Sequence, residues 1–485
     1  MKHLFDKLGE YGEGDIYPYH MPGHKRMHWG ELPEEMYRRD ITEIDGFDNL
    51  HQPEGILREL QEHAALLYGA EESFYLVNGS TSGILSAISA ALPKGGRILM
   101  ARNCHKAAYH AAYLRELSIS YLYPGVMEEY DIFDVVLPEQ VREVLEREPD
   151  IGAVLVVSPT YEGRISDIGE IARVVHEKGL PLIVDEAHGA HLGFSGEFAV
   201  NSCKAGADIV IHSVHKTLPA LTQTALLHVN GCRIDRMLLR RFLHIYQSSS
   251  PSYLLMASID NALEYVEKAG ESAFTVFAEH YRKLSEDLAS CKHLRCLSLE
   301  QKKQDIGKLL VSTKMTGMTG KQLYDILLEK YHLQLEMAAE TYVLAMFTVN
   351  DRGEGYERMR RALLEIDAAL DGEESHTISM LTEGACTVRD AAYSARKASE
   401  DALPLAKAWD MGKCYVELQE SVDCRGGEFV NLYPPGIPLL VPGERITLQM
   451  AADLRRYLER GLNVQGLKSV GDKTLICVLE DMIDS

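Results

Sequence analysis

The sequence predicts an α/β fold built on a largely parallel sheet, and three observations carry that reading. From about residue 52 to 270, helical and strand-like patterns alternate, as they do in βαβ units. Two short β-branched runs, Leu180-Pro181-Leu182-Ile183-Val184 and Ala207-Asp208-Ile209-Val210-Ile211, lead straight into polar segments. These are Asp185-Glu186-Ala187-His188 and Ser213-Val214-His215-Lys216-Thr217. Asn78-Gly79-Ser80-Thr81-Ser82-Gly83 precedes an apolar segment, 84–92, that reads as a helix. In open α/β sheets ligands sit beyond the carboxyl ends of the strands, which is where Asp185 and Lys216 both fall if the runs are strands.

Composition sets the bounds. A chain of 485 residues is long enough for two to four domains and a large core. Its 46% apolar and 25% charged content is that of an ordinary folded chain. A formal net charge of −22 disfavours nucleic acid and anionic membranes as partners and mildly favours cationic small molecules. The nine cysteines include no C-x-x-C pair, and an odd count reads as free thiols in a reducing compartment. The N-terminus lacks the apolar core of a signal peptide, and no apolar run approaches the length of a membrane span, so a cytoplasmic address is expected.

In chain order, residues 1–51 read as an irregular arm, with Pro and Gly interrupting His20-Met21-Pro22-Gly23-His24-Lys25. His20 and His24 have the spacing of a helical metal pair, but the Pro-Gly between them argues against that helix, and no metal is expected. Residues 52–270 form the expected large domain. A helical stripe (Ile56, Leu57, Leu60, Ala64, Leu67) runs through 54–68, and strands are expected at 96–100, 151–157, 180–184 and 207–211. Residues 271–372 form a smaller α/β domain with helices at 274–289 and Gly320–Tyr331 and strands at Lys308–Ser312 and 342–349. The polar stretch 371–376 is the best linker candidate, and 373–485 forms a third, α+β domain containing Tyr433-Pro434-Pro435-Gly436-Ile437-Pro438.

A carboxylate at one strand end and a lysine beyond the next suit pyridoxal 5′-phosphate. The lysine can hold the aldehyde as a Schiff base, and the carboxylate keeps the pyridine nitrogen protonated. An opposite charge about 4 Å away is worth roughly 4 kcal/mol at an effective dielectric near 20, or about three pKa units, enough for that purpose. Ser80, Thr81 and Ser82 at a helix start offer hydroxyls and outward N–H groups to a phosphate, although a plain helix cap looks much the same. Ser213 and His215 flank the lysine and can add donors. His105, after the strand expected at 98–101, can lie flat on the pyridine ring or cap the next helix.

Ser213-Val214-His215-Lys216, with Gln223-Thr224-Ala225 downstream, resembles the lysine-site signature of the Orn/Lys/Arg decarboxylase family, bacterial enzymes of the aspartate-aminotransferase-like fold-type I. His20-Met21-Pro22-Gly23-His24-Lys25, Asp48-Asn49-Leu50-His51, Asn103-Cys104-His105-Lys106, Ser249-Ser250-Pro251-Ser252-Tyr253 and Tyr433-Pro434-Pro435-Gly436-Ile437-Pro438 resemble it too, in family order. The resemblance implies a mostly parallel seven-stranded sheet in the large domain. It implies Lys216 as the Schiff-base residue, Asp185 as the pyridine partner and His105 as the stacking residue. Ser80, Thr81, Ser213 and His215 would hold the phosphate, Ala187 would pack on the other ring face, and His188 would lie in the same site. Ser248 and Ser249 match the place where a neighbouring subunit reaches the phosphate, which implies a homodimer with shared sites. Glu428 matches a glutamate of the short-form members and is the candidate for the substrate's distal cation. The implied reaction turns arginine, lysine or ornithine into its amine and CO₂, with a tilt toward arginine.

Two other readings stand beside it. One is transamination or another lyase reaction on the same fold, since fold does not fix function. An aminotransferase needs an arginine clamp on the substrate carboxylate, for which Arg425 and Arg445 are the C-terminal candidates. The other is a catalytically silent regulatory paralogue, against which the presence of both Lys216 and Asp185 argues.

Overall fold

The computed structural model describes residues 3–28, 30–297, 302–371, 388–433 and 436–480. Apart from Asp371, the linker candidate 371–376 lies outside them, as do Pro434 and Pro435 of the Tyr433–Pro438 motif. The chain divides into two compact units. The first comprises Met1–Pro93, Gly152–Pro159 and Asp167–Thr275; the second comprises Lys94–Ile151, Thr160–Ser166 and Val276–Ser485. The expected class is found: an α/β protein whose main sheet has seven strands.

In the first unit the strand Ile151–Val157 runs parallel to Leu182–Asp185, which runs parallel to Ile209–His212. Ala225–Val229 then pairs antiparallel with Ile209–His212, and Glu72–Leu76 antiparallel with Ala225–Val229. Val154, Leu182, Ile183, Val184, Ile209, Val210 and Ile211 are all fully buried. Strands covered on both faces cannot alternate polar with apolar, so they appear in sequence as unbroken apolar runs. Helix Ile56–Tyr68 buries the expected stripe through Leu57, Leu60 and Ala64 and stops at Gly69, whose φ of +71° is a left-handed C-cap. Helix Gly79–Ala91 begins five residues before the expected 84, because its small first-turn residues are themselves helical. Gly79, at φ +70°, makes the turn from the preceding strand.

The N-terminal segment differs from expectation. Leu4–Glu13 is a helix rather than irregular chain, with Leu4 and Leu8 fully buried and Leu4 N–H donating to Asp260 Oδ2 at 2.8 Å. Leu4, Phe5, Leu8 and Tyr11 have helical spacing, but ten residues holding two glycines make a marginal helix without a docking surface. His20 and His24 bond instead to Tyr11 Oη at 2.6 Å and Asp40 Oδ2 at 3.2 Å.

The helix expected at 274–289 begins earlier: Tyr253–Leu288 is one helix of 36 residues that carries the chain from the first unit into the second. In the second unit Arg97–Ala101 and Ser118–Leu122 pair in parallel. An antiparallel sheet orders Arg295–Cys296, Lys308–Ser312, Tyr342–Met346 and Met337–Ala338; in sequence the helix Gly320–Tyr331 falls between its strands and Gly353–Leu370 follows them. Two further three-stranded sheets, one of Lys413–Glu417, Lys473–Leu479 and Leu467–Val470, share a core of Leu418, Val430, Leu440, Ile446, Leu454 and Ile476. Among the described residues no helix is long and apolar enough to cross a membrane.

Candidate active site

Within the first unit, the ends of two adjacent strands carry Asp185, Ala187, His188, Ser213, His215 and Lys216. Strand Leu182–Asp185 delivers Asp185, which is 5% exposed and accepts a hydrogen bond from Ala187 N–H at 3.2 Å. Burial raises its pKa above the ordinary carboxylate value, and the charge of Lys216 and the Ala187 N–H oppose that rise. Strand Ile209–His212 is followed by the single turn Val214–Thr217, which carries Lys216. That turn is fixed by Val214 N–H donating to Thr224 O at 3.1 Å, and it cannot extend past Pro219. Lys216 Nζ lies 3.0 Å from His188 Nε2, across from the loop that follows Asp185.

Ser213 Oγ donates to Ser80 Oγ at 2.8 Å, joining the lysine turn to the first turn of helix Gly79–Ala91. Asn78, the N-cap of this 13-residue helix, makes no side-chain capping bond, so the first amides are not covered by it. Gly83 lets the helix lie close to the sheet: a Cβ there would be 2.7 Å from Leu76 Cδ1 and 3.1 Å from Ile211 Cγ2. Thr81 is exposed at the same turn, while Ser82 Oγ is turned inward and donates to Gly79 O at 2.8 Å. His215 Nδ1 lies 2.8 Å from Thr224 O, to which it donates; burial and the Lys216 charge lower its pKa, and the Thr224 bond opposes them. Ser248 and Ser249 are exposed, with Ser248 N–H donating to Asn78 Oδ1 at 3.2 Å.

His105 and Glu428 belong to the second unit. His105 is the N-cap of helix Lys106–Leu114, its Nδ1 accepting from Ala107 N–H at 3.2 Å. Gly436, at φ +81°, packs on it: an added Cβ would sit 3.6 Å from the imidazole. Glu428 accepts from Lys413 Nζ at 2.6 Å and from Trp409 Nε1 at 2.8 Å. Arg425 binds Asp401 O and Gly443 O, and both Arg425 and Arg445 bind Asp401 Oδ2, at 3.1 and 2.9 Å.

Sequence reasoning missed two buried polar groups. In the second unit Arg102 donates to Pro438 O, Leu439 O and Glu444 Oε2, at 2.6, 3.2 and 3.1 Å, with both charged partners almost fully buried. In the first, Glu186 meets His212 Nε2 at 2.7 Å directly behind the strand ends that carry Asp185 and Ser213. The available signal was a polar residue placed against a wholly apolar run, but the partners are chosen by sheet register, which spacing along the chain does not reveal.

The comparisons with known proteins follow the same lines. The family model described as "Orn/Lys/Arg decarboxylase, major domain" matches residues 2–314. A Bacillus subtilis protein named "Uncharacterized protein YaaO" is 34% identical over 99% of this chain and 98% of its own. An arginine decarboxylase of the same organism is 29% identical over 96% of this chain and 95% of its own. The solved structure of the Escherichia coli constitutive lysine decarboxylase superposes with a TM-score of 0.82 at 18% identity, over 98% of this chain and 82% of that one, and so shares the fold.

Proposed function

Since the chain belongs to the Orn/Lys/Arg decarboxylase family, we propose that it releases the α-carboxylate of a basic amino acid as CO₂, using pyridoxal 5′-phosphate held at Lys216, with arginine as the first candidate substrate. One observation carries the reading: Lys216 Nζ, hydrogen-bonded to His188 Nε2, lies within electrostatic reach of the buried carboxylate of Asp185. Bound pyridoxal phosphate supplies an aldehyde for the lysine or the substrate amine and a protonated ring that accepts the electrons left by departing CO₂.

The donor chemistry fits that group. A carboxylate raised by burial is suited to an incoming cationic N–H, which would pair with it and restore its charge. An N-terminus without a side-chain cap, bearing Ser80 and Thr81 and tied to Ser213, is suited to a dianion. In this reading Asp185 holds a proton on the ring nitrogen. Ser80, Thr81, Ser82, Ser213 and His215 would orient the phosphate through hydroxyl or backbone donors. Ala187 would pack on one ring face, and His105 is retained as the proposed stacking residue. Lys216 Nζ and His188 Nε2, 3.0 Å apart, share a proton that can be returned to the substrate Cα.

The arginines support decarboxylation over transamination. A decarboxylase gains by leaving the substrate carboxylate weakly paired, since a clamp would stabilise the ground state. Arg425 and Arg445, the candidate clamps, are both engaged by Asp401. Glu428 remains the proposed partner of the substrate's distal cation, sharing its carboxylate with Lys413. The exposed Ser248 and Ser249 are proposed to reach the phosphate of a second copy, in a homodimer with shared sites. Borohydride reduction of the protein mixed with pyridoxal phosphate tests the cofactor assignment. Peptide mapping should find the label on Lys216, and Lys216→Ala should lose it. Label elsewhere, or none, overturns the assignment.

A further inference from the structure

A second row of polar side chains runs behind the strand ends that carry Asp185 and Ser213, wholly inside the first unit. Glu186 accepts from Ser202 N–H at 3.1 Å and from Ser202 Oγ–H at 2.9 Å. Its Oε2 is 2.7 Å from His212 Nε2; His212 Nδ1 is 3.0 Å from His228 Nε2; His228 Nδ1 is 2.6 Å from Ser73 Oγ. His212, His228 and Ser73 lie on three neighbouring strands, and Glu186 follows directly on a fourth. His228 is the register partner of Ser73. All four side chains are 3% exposed or less, and Tyr68 covers both imidazoles, with ring centroids 4.7 and 4.5 Å away.

Burying four polar side chains is costly unless every donor and acceptor is matched. Each contact in this row can run either way, and the protonation of Glu186 sets which. With Glu186 as a neutral acid, its O–H donates to His212 Nε2, His212 Nδ1–H donates to His228 Nε2, and His228 Nδ1–H donates to Ser73 Oγ. Both imidazoles are then neutral and the row carries no charge. An ionised Glu186 would reverse every one of these bonds or would need a buried imidazolium. Burial pushes Glu186 up to about 8, against the Ser202 bonds and the charge of His191. It holds His212 down to about 3. The other titratable groups facing Glu186 are Tyr68 and Cys203, whose protons burial also retains.

Resting on the reading of Asp185 and Lys216 as a cofactor site, we propose that Glu186, His212 and His228 are positioning residues: a neutral, one-directional hydrogen-bond row, begun by Glu186 as donor, that fixes the strand ends presenting Asp185 and Ser213 to pyridoxal phosphate. His212 directly precedes Ser213, and Glu186 directly follows Asp185. A shift in the row therefore moves the charge partner of the ring and a phosphate donor together.

The test is cofactor affinity, measured on the full chain by titrating pyridoxal phosphate and following the visible band of the lysine-bound cofactor between pH 6.5 and 9.5. Glu186→Gln keeps both roles, since the amide N–H donates to His212 and its oxygen accepts from Ser202. It should bind within about twofold of wild type near pH 7, whereas Glu186→Ala, which orphans His212 Nε2, should bind about tenfold or more weakly. Wild-type affinity should fall as pH rises through the region where Glu186 ionises, and the Gln variant should lose that fall. Tenfold weaker binding by Glu186→Gln at pH 7, or wild-type binding by Glu186→Ala, overturns the proposal. If Glu186→Ala does not fold, the pH profiles of wild type and Glu186→Gln decide it, and identical profiles count against it. A wild type that never develops the visible band overturns the cofactor assignment itself, and this inference with it.

Discussion

Gly83→Ala tests whether the helix Gly79–Ala91 is the phosphate cradle. A new Cβ would lie 2.7 Å from Leu76 Cδ1 and 3.1 Å from Ile211 Cγ2. Carbon–carbon contacts settle near 3.5–4.0 Å, so the helix must move off the sheet by roughly 0.5–1 Å at this point. Neither neighbour can yield easily: both are fully buried, and Ile211 is β-branched. The Ser80–Ser213 contact, now 2.8 Å, would stretch toward the limit of a hydrogen bond. Helix propensity favours alanine by up to about 1 kcal/mol, while overpacking costs about 1–3 kcal/mol. Overall stability should therefore fall by about 0–2 kcal/mol, and the selective effect should appear in the ligand. A hydrogen bond to a charged group is worth about 1.5–3 kcal/mol, so losing one should weaken pyridoxal phosphate about 10- to 100-fold. The assay is parallel titration with pyridoxal phosphate and with pyridoxal, which lacks the phosphate. Selective loss of the phosphorylated ligand is expected. Equal loss of both, or unchanged affinity for both, would refute the phosphate assignment.

Other expectations follow from the same geometry. Asp185→Asn keeps the shape and removes the charge; with an ion pair near 4 Å worth roughly 4 kcal/mol, turnover should fall at least about 100-fold while the fold is retained, and near-normal turnover would remove Asp185 from the site. Glu186 has a folded pKa of about 8 against an ordinary 4.5, so the folded state keeps a proton that the unfolded chain releases. Its contribution is fully present below about pH 4.5 and is lost as pH rises through about 8, by up to roughly 5 kcal/mol. Glu186→Gln should remove that loss, so denaturation midpoints of wild type should drop relative to the variant across this window; parallel profiles would mean an ionised Glu186. Glu428→Gln should raise KM for a basic amino acid with a smaller effect on kcat, and an unchanged KM would exclude it as the distal-cation partner.

How far the chain could be read in advance depended on where each signal came from. Ile151–Val157, Lys308–Ser312 and Gly320–Tyr331 occur at the expected bounds because a continuous apolar run or a capped amphipathic stretch is local information. Asp185 and Lys216 were legible because strand ends place their next residues at the ligand edge of an α/β sheet. Glu72–Leu76 and Ala225–Val229 were not, since short strands with a polar residue inside them look like loop until pairing is known. His228 and Ser73 occupy just those polar positions, and they are buried only because register sets them opposite each other. The helix Leu4–Glu13 and the Arg102–Glu444 pair were hidden for the same reason: their stabilising partners are hundreds of residues away in sequence.

The most direct measurement is CO₂ release and amine formation by the purified protein with pyridoxal phosphate, given arginine, lysine and ornithine separately, alongside Lys216→Ala. The account predicts CO₂ and the matching amine from at least one of the three, arginine first, and nothing from the variant. An oxo acid in place of CO₂, or no turnover of any of the three by a protein that shows the visible band of lysine-bound cofactor, would contradict it.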